Sequence, residues 1–100
     1  MALKTASVAK RQLYVVFGKN LVKVRTGLGM TQEKAAEKAG ISFRFFQDLE
    51  AGISAPSLPT LTRLVRAFDC DFTDLLKGCE AVEEAEIEAA APISKKKPKK

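Results

Sequence analysis

The chain has 100 residues, no His or Trp, two cysteines and a net charge of +5. This length fits one small domain that buries only about 60% of its unfolded surface. With no histidine and only two cysteines, we expect neither a zinc site nor a disulfide framework. The same cysteine content favours a reduced, cytoplasmic setting. We expect no cofactor, no metal and no enzymatic activity. The apolar run LYVVF is too short for a signal or membrane-spanning segment.

The first predicted element is a helix that follows a short arm. Residues 1–9 are expected to form a flexible arm. From about Lys10 to Leu28, apolar residues recur at steps of three and four, the spacing of a helix with one buried face. That face comprises Leu13, Phe17, Leu21, Val24 and Leu28.

The next segment, QEKAAEKAGISFRFFQDLEAG, predicts two short helices joined by a tight turn. Thr31 and Ser42 are suited to cap the two helices, because a side-chain hydroxyl accepts an unpaired amide of the first turn. Gly40 provides the positive φ that a sharp turn requires, and Gly52 ends a second helix that spans roughly 43–51. Small residues on the first helix allow close approach of the second; they are Ala35, Ala36 and Ala39. This pattern is typical of a helix-turn-helix.

Two further helices are predicted downstream. Ser57 caps the fourth helix, and Pro59 is tolerated in its first turn. Its expected buried stripe consists of Leu58, Leu61, Leu64, Val65 and Phe68. Asp71 and Asp74 predict a capping box for a short fifth helix, which ends at Gly78. The side chains expected to face inward from this helix are Phe72, Leu75 and Leu76.

Charge divides the chain into a domain and two tails. Residues 1–78 carry 12 basic and 7 acidic side chains, so the domain of residues 10–78 is modestly basic. Residues 79–91 contain five glutamates and no base, and we expect an acidic extension, helical or disordered. It is either a linker or a segment that packs on the domain or on a second copy. Residues 92–100 carry five lysines, and we expect a disordered tail, either solvated or in non-specific contact with nucleic acid.

The chain resembles the lambda-repressor-like helix-turn-helix domain of the Cro/C1 (Xre) family of bacterial and phage transcriptional regulators. The resemblance runs from about residue 17 to residue 76 and is carried by FGKNLVKVR, GMTQEKAAEKAGIS, QDLEAG and PSLPTLTRLVRAFDCDFTDLL. It implies an all-α fold, a compact five-helix bundle with flexible tails. It also implies binding to double-stranded DNA, with helix 3 in the major groove.

The resemblance implies a set of DNA-binding residues on helix 3. The outward face of this helix comprises Phe43, Arg44, Gln47, Asp48 and Ala51. Arg44 is suited to paired hydrogen bonds with guanine and Gln47 with adenine, although Arg44 can instead bond a neighbouring acid. Asp48 either accepts from a cytosine amine or pairs with a cation on its own helix. Phe43 either packs on a thymine methyl or folds back against the turn.

Other contacts implied by the resemblance lie outside helix 3. Thr31 and Gln32 are expected to bind a DNA phosphate at the start of helix 2, and Ser42 lies at the start of helix 3. In the loop of residues 53–56, where many relatives carry cations or Asn, Ser54 and backbone amides are the available phosphate donors. Arg25 and Glu50 match positions that pair structurally between helices 1 and 3.

Two functions follow as hypotheses. The first is a sequence-specific DNA-binding transcriptional regulator that acts as a homodimer, because paired units one DNA turn apart suit a palindromic site. The second is a protein-interaction module, antitoxin-like or accessory, that keeps the fold with weak DNA binding. Phe43, Asp48 and the uncharged loop after helix 3 favour the second hypothesis.

Overall fold

The structure is a computed structural model that describes the backbone of residues 2–82 and the side chains of residues 10–82. Six helices form the regular structure of this part of the chain, and it contains no strand. They are α1 (Ala2–Gly27), α2 (Gln32–Ala39), α3 (Phe43–Ala51), α4 (Leu58–Phe68), α5 (Phe72–Leu76) and α6 (Cys79–Val82). The predicted all-α bundle of five helices is confirmed, with α6 as a short sixth element. None of the described helices has the length and apolarity needed to cross a bilayer.

The start of α1 differs from the prediction. We expected this helix to begin at about Lys10, after a flexible arm, whereas it begins at Ala2. The apolar stripe that marked the predicted start identifies only the part of the helix that packs on the core. The preceding residues contain no Pro or Gly, so nothing in them interrupts helical hydrogen bonding. The helix boundary is therefore eight residues earlier than the buried stripe indicates.

The three predicted hydroxyl caps are all present. Thr31, Ser42 and Ser57 have extended backbones, and each side-chain oxygen accepts a hydrogen bond from an amide three residues later. The corresponding N–O distances are 3.1, 3.0 and 3.2 Å. At the other end, Gly40 (φ 73°) and Gly52 (φ 79°) adopt the left-handed conformation that terminates α2 and α3. Local sequence thus fixes where the two helices of the motif begin and end.

The core lies where α1, α2, α3 and α4 meet. Helix α1 packs against α3, α5 and α6, and α2 packs against α3 and α4. The rings of Phe46 and Phe68 meet edge to face, with centroids 6.5 Å apart. The buried apolar residues are Phe17, Leu21, Ala35, Ala36, Ala39, Phe46, Leu49, Leu61, Leu64, Phe68 and Leu75.

Four residues expected to be buried are exposed instead. Leu28 lies beyond the end of α1, and Leu58 is the first residue of α4. Phe72 and Leu76 bracket α5, in which only Leu75 is buried. Helical spacing identifies the apolar face of a helix, but it does not tell where the neighbouring helices stop covering that face. The error is therefore confined to the ends of elements.

A polar side chain on α1 holds α5 in place. The Nδ2 atom of Asn20 donates to the carbonyl oxygens of Leu75 (2.7 Å) and Lys77 (2.9 Å). These carbonyls lie at the end of α5, where no intrahelical amide remains to pair with them. At the start of α5, the Asp74 carboxylate accepts from the amide of Asp71 at 2.9 Å, which is one half of the predicted capping box.

Candidate nucleic-acid interface

Helices α2 and α3 form a compact pair with one exposed face. Close packing is possible because the facing residues of α2 are alanines, all buried. On α3, Phe46 and Leu49 are fully buried and anchor the helix to the core. The opposite face of α3 contains four residues predicted to contact DNA, together with Ala51; the four are Phe43, Arg44, Gln47 and Asp48. The structure thus places a largely polar helix face at the surface of the bundle.

Arg44 and Asp48 form an ion pair on this face. The Arg44 Nε atom lies 3.4 Å from Asp48 Oδ1, one helical turn away, and the Arg44 side chain is 81% exposed. An exposed pair of this type contributes about 0.3–0.5 kcal/mol. A bidentate contact with guanine discriminates by about 1–3 kcal/mol, so Arg44 can exchange its partner for a base at small cost. The pair also masks the carboxylate of Asp48, which would otherwise repel phosphates.

Phe43 opens the helix with an apolar ring on the polar face. It is 42% exposed, so a substantial part of this apolar residue remains at the surface. Covering that remainder is favourable by about 25 cal/mol for each Å² removed from water. A thymine methyl or an apolar group of a protein partner would cover the ring with the same gain in free energy for each Å².

Arg25 on α1 and Glu50 on α3 meet in a bidentate ion pair. Arg25 Nε donates to Glu50 Oε2 at 2.6 Å and Nη2 donates to Oε1 at 3.2 Å. A third bond runs from Arg25 Nη1 to the carbonyl oxygen of Met30 at 2.8 Å. The side chains are only 15% and 4% exposed, respectively. The pair therefore joins α1, the turn before α2 and the end of α3 in one partly dry network.

Gln32 extends this network towards the surface of α3. Its Nε2 atom donates to Glu50 Oε1 at 2.7 Å, and its Oε1 atom is 3.5 Å from Gln47 Nε2. Gln32 and Gln47 were predicted as separate contacts with phosphate and base, and the structure brings them together. Sequence reasoning missed these links, because no local pattern relates Gln32 to residues 15 and 18 positions away. One amide proton of Gln32 remains for a phosphate after the bond to Glu50.

Gly18 sets the distance between α1 and α3. A Cβ atom on Gly18 would lie 2.6 Å from the carbonyl oxygen of Glu50 and 2.7 Å from that of Leu49. One turn earlier on α1, Val15 is in tight contact with the Gly52 position in the same way. Any larger residue at position 18 would push the end of α3 outward. Sequence reasoning missed this role too, because a glycine within a helix indicates close packing without identifying the partner.

The remaining predicted contacts lie around the ends of α2 and α3. The hydroxyls of Thr31 and Ser42 accept capping bonds, so each is fixed at the start of its helix. Ser54 is half-buried in the loop after α3, whose first residue, Ile53, is exposed. This loop has no charged side chain, as the sequence indicates. Any positive charge close to the loop of residues 53–56 therefore comes from another element.

A short helix, a glycine turn and a capped second helix with an outward polar face define a helix-turn-helix protein. The helix-turn-helix family model matches residues 21–75. The chain belongs to this family, of the Cro/C1 type, as the resemblance implied.

Two curated proteins are similar to the chain. It is 36% identical over 66 residues to the SPbeta prophage-derived uncharacterized HTH-type transcriptional regulator YonR of Bacillus subtilis (strain 168), across 66% of this chain and 61% of that protein. It is 30% identical over 79 residues to the HTH-type transcriptional activator BcrR of Enterococcus faecalis, across 79% of this chain and 39% of that protein. The chain thus spans less than two thirds of either relative.

Proposed function

We propose that this chain is a sequence-specific DNA-binding transcriptional regulator that places α3 in the major groove of double-stranded DNA. The observation that carries the proposal is the outward face of α3, which presents Arg44, Gln47 and Asp48 while Glu50 anchors the helix from behind. A recognition helix must be held rigidly for its side chains to meet base edges. The names of both relatives, a transcriptional regulator and a transcriptional activator, support this function.

The proposal includes a homodimer acting in the cytoplasm. One α3 reaches only a few base pairs, and a dimer extends recognition to two half-sites one helical turn apart. Thr31 and Gln32 bind a DNA phosphate at the start of α2. Ser42 and Ser54, at either end of α3, lie beside the sugar-phosphate backbone of the DNA.

A selection of bound genomic fragments at fixed salt tests the function. Enrichment of a two-fold symmetric sequence with a half-site spacing near 10 base pairs is the expected result.

Exposed apolar surface supports one other candidate. Phe43 is exposed at the start of α3 and Ile53 is exposed in the loop after it, and between them the carboxylate of Asp48 is paired with Arg44. These features fit a protein-interaction module that retains the fold. The same selection separates the two functions, since a module of this kind enriches no DNA sequence.

Replacing Arg44 with alanine is expected to weaken specific binding by about 1–3 kcal/mol and to relax the preference at one base pair. The reason is loss of a bidentate contact, because the Asp48 ion pair given up on binding is worth much less. Affinity for the selected site and for random DNA is measured by titration at one salt concentration. Arg63→Ala, which removes an exposed arginine from α4, is the control. An unchanged ratio of specific to random affinity in Arg44→Ala would exclude base recognition by Arg44.

A further inference from the structure

We propose that Lys10 and Arg11 on α1 bind the phosphate backbone of the duplex that α3 contacts, and so supply the positive charge that the loop of residues 53–56 lacks. The inference rests on the proposed function, because it assigns a second contact surface to the same complex. It concerns a part of α1 that lies upstream of the residues matched by the family model.

A groove separates the first half of α1 from the end of α3. Its volume is about 500 Å³. One wall is formed by Lys10, Arg11, Tyr14 and Val15, and the other by residues 51–53. Both cations are exposed, whereas Tyr14 is half-buried. The groove is thus open to solvent, with positive charge on one side.

Helical spacing orients this wall towards the proposed DNA surface. Arg11, Gly18 and Arg25 are seven residues apart, so they lie on one face of α1. Gly18 faces the carbonyl oxygens at the end of α3, and Arg25 bonds Glu50 there. Across the groove lies Ala51, the last residue on the outward face of α3. Lys10 and Arg11 therefore flank the C-terminal end of that face.

The cations have no acidic partner in the described part of the chain. Three ion pairs occur among residues 10–82, and none includes Lys10 or Arg11. The backbone across the groove cannot provide the donors, because the amides of Gly52 and Ile53 already bond the carbonyl oxygens of Leu49 and Asp48. A phosphate passing the end of α3 would therefore meet the side chains of Lys10 and Arg11 as its donors.

The test compares two double variants of the full chain with equal loss of charge. Lys10→Gln/Arg11→Gln removes the proposed contacts. Lys19→Gln/Lys23→Gln removes two exposed lysines from the same helix, on its solvent face. Affinity for the selected DNA site and for random DNA is titrated between 50 and 200 mM salt. The slope of log K against log salt is negative, and each lost phosphate contact reduces its magnitude by about 0.9.

In the Lys10/Arg11 variant, the magnitude of this slope is expected to be smaller by about 1.8. Between about 50 and 200 mM salt, the wild type should therefore lose roughly tenfold more affinity than the variant loses. Specific and random affinities should fall together, since phosphate contacts carry no sequence information. The Lys19/Lys23 control and the charge-conserving Lys10→Arg/Arg11→Lys variant should keep the wild-type slope.

Three outcomes would overturn the inference. The first is an unchanged salt slope in the Lys10/Arg11 variant, and the second is an equal change of slope in the Lys19/Lys23 control. The third is tighter DNA binding after removal of Lys10 and Arg11, which would show that these cations bind another part of the chain instead. Failure of the proposed function is a separate result, because it appears in the wild type as equal affinity for all DNA sequences. All variants change exposed side chains, and unchanged melting temperatures establish that each is folded.

Discussion

Replacing Glu50 with alanine is expected to lower the free energy of unfolding by about 3–5 kcal/mol. The Glu50 side chain is 4% exposed and accepts hydrogen bonds from both Arg25 and Gln32. Its removal leaves the guanidinium of Arg25 with one remaining partner, the carbonyl oxygen of Met30, in a poorly solvated position. A buried charge without its counter-ion costs far more than the original pair contributes. Denaturant unfolding measures the change.

The chain offers a matched control for this prediction. Lys34 and Glu37 pair at 3.9 Å on the surface of α2, with side chains 69% and 77% exposed. Glu37→Ala should therefore cost no more than about 1 kcal/mol. A double-mutant cycle of Arg25→Met and Glu50→Leu isolates the interaction itself. Coupling below about 0.5 kcal/mol would mean that the two residues act independently and that the pair does not fix α3.

Replacing Gly18 with alanine is expected to destabilise the fold by close to the upper end of about 1–3 kcal/mol. The new methyl group would lie 2.6 and 2.7 Å from two backbone oxygens of α3, and backbone atoms cannot rotate away as side chains do. Helix propensity acts in the opposite direction, because alanine is better than glycine within a helix by about 0.5–1 kcal/mol. The steric term is larger and decides the sign.

Gly27 provides the opposite case on the same helix. A Cβ atom there would meet nothing within 4 Å, so Gly27→Ala should be neutral or slightly stabilising. Unfolding in denaturant measures both variants. Gly18→Ala should also weaken specific DNA binding more than random binding, because a displaced α3 loses its base contacts first. If Gly18→Ala matched Gly27→Ala in stability, α1 and α3 would not be as close as the structure shows.

Features that depend on a few neighbouring residues were predictable from the sequence. Thr31, Ser42 and Gly40 act within one helical turn of their own position, so residue type alone identifies them. The pairing of Arg25 with Glu50 came from family resemblance, and its geometry agrees with that expectation. The assignment of Phe46 and Leu49 to the buried face of α3 followed from helical spacing.

Features that depend on distant contacts were not predictable. The bonds from Gln32 to Glu50 and from Asn20 to the end of α5 join residues 18 and 55 positions apart. Gly18 acquires its role only when α3 lies across it. Leu58 was misplaced because its spacing fits the apolar stripe of α4, whereas the structure leaves its side chain exposed. DNA-contact roles also remain predictions, since they depend on a partner whose position the chain does not encode.

The Asn20 bonds have a consequence for how the domain opens. Helix α5 has five residues, and it is held to α1 by these bonds and by the one fully buried side chain of Leu75. A unit with so few contacts separates from its neighbours at a lower free energy than global unfolding requires. Amide hydrogens of α5 should therefore exchange with deuterium faster than those at the centres of α1 and α4. Since α3 is packed against α1 and α2, the domain can open at this end while the outward face of α3 stays in place.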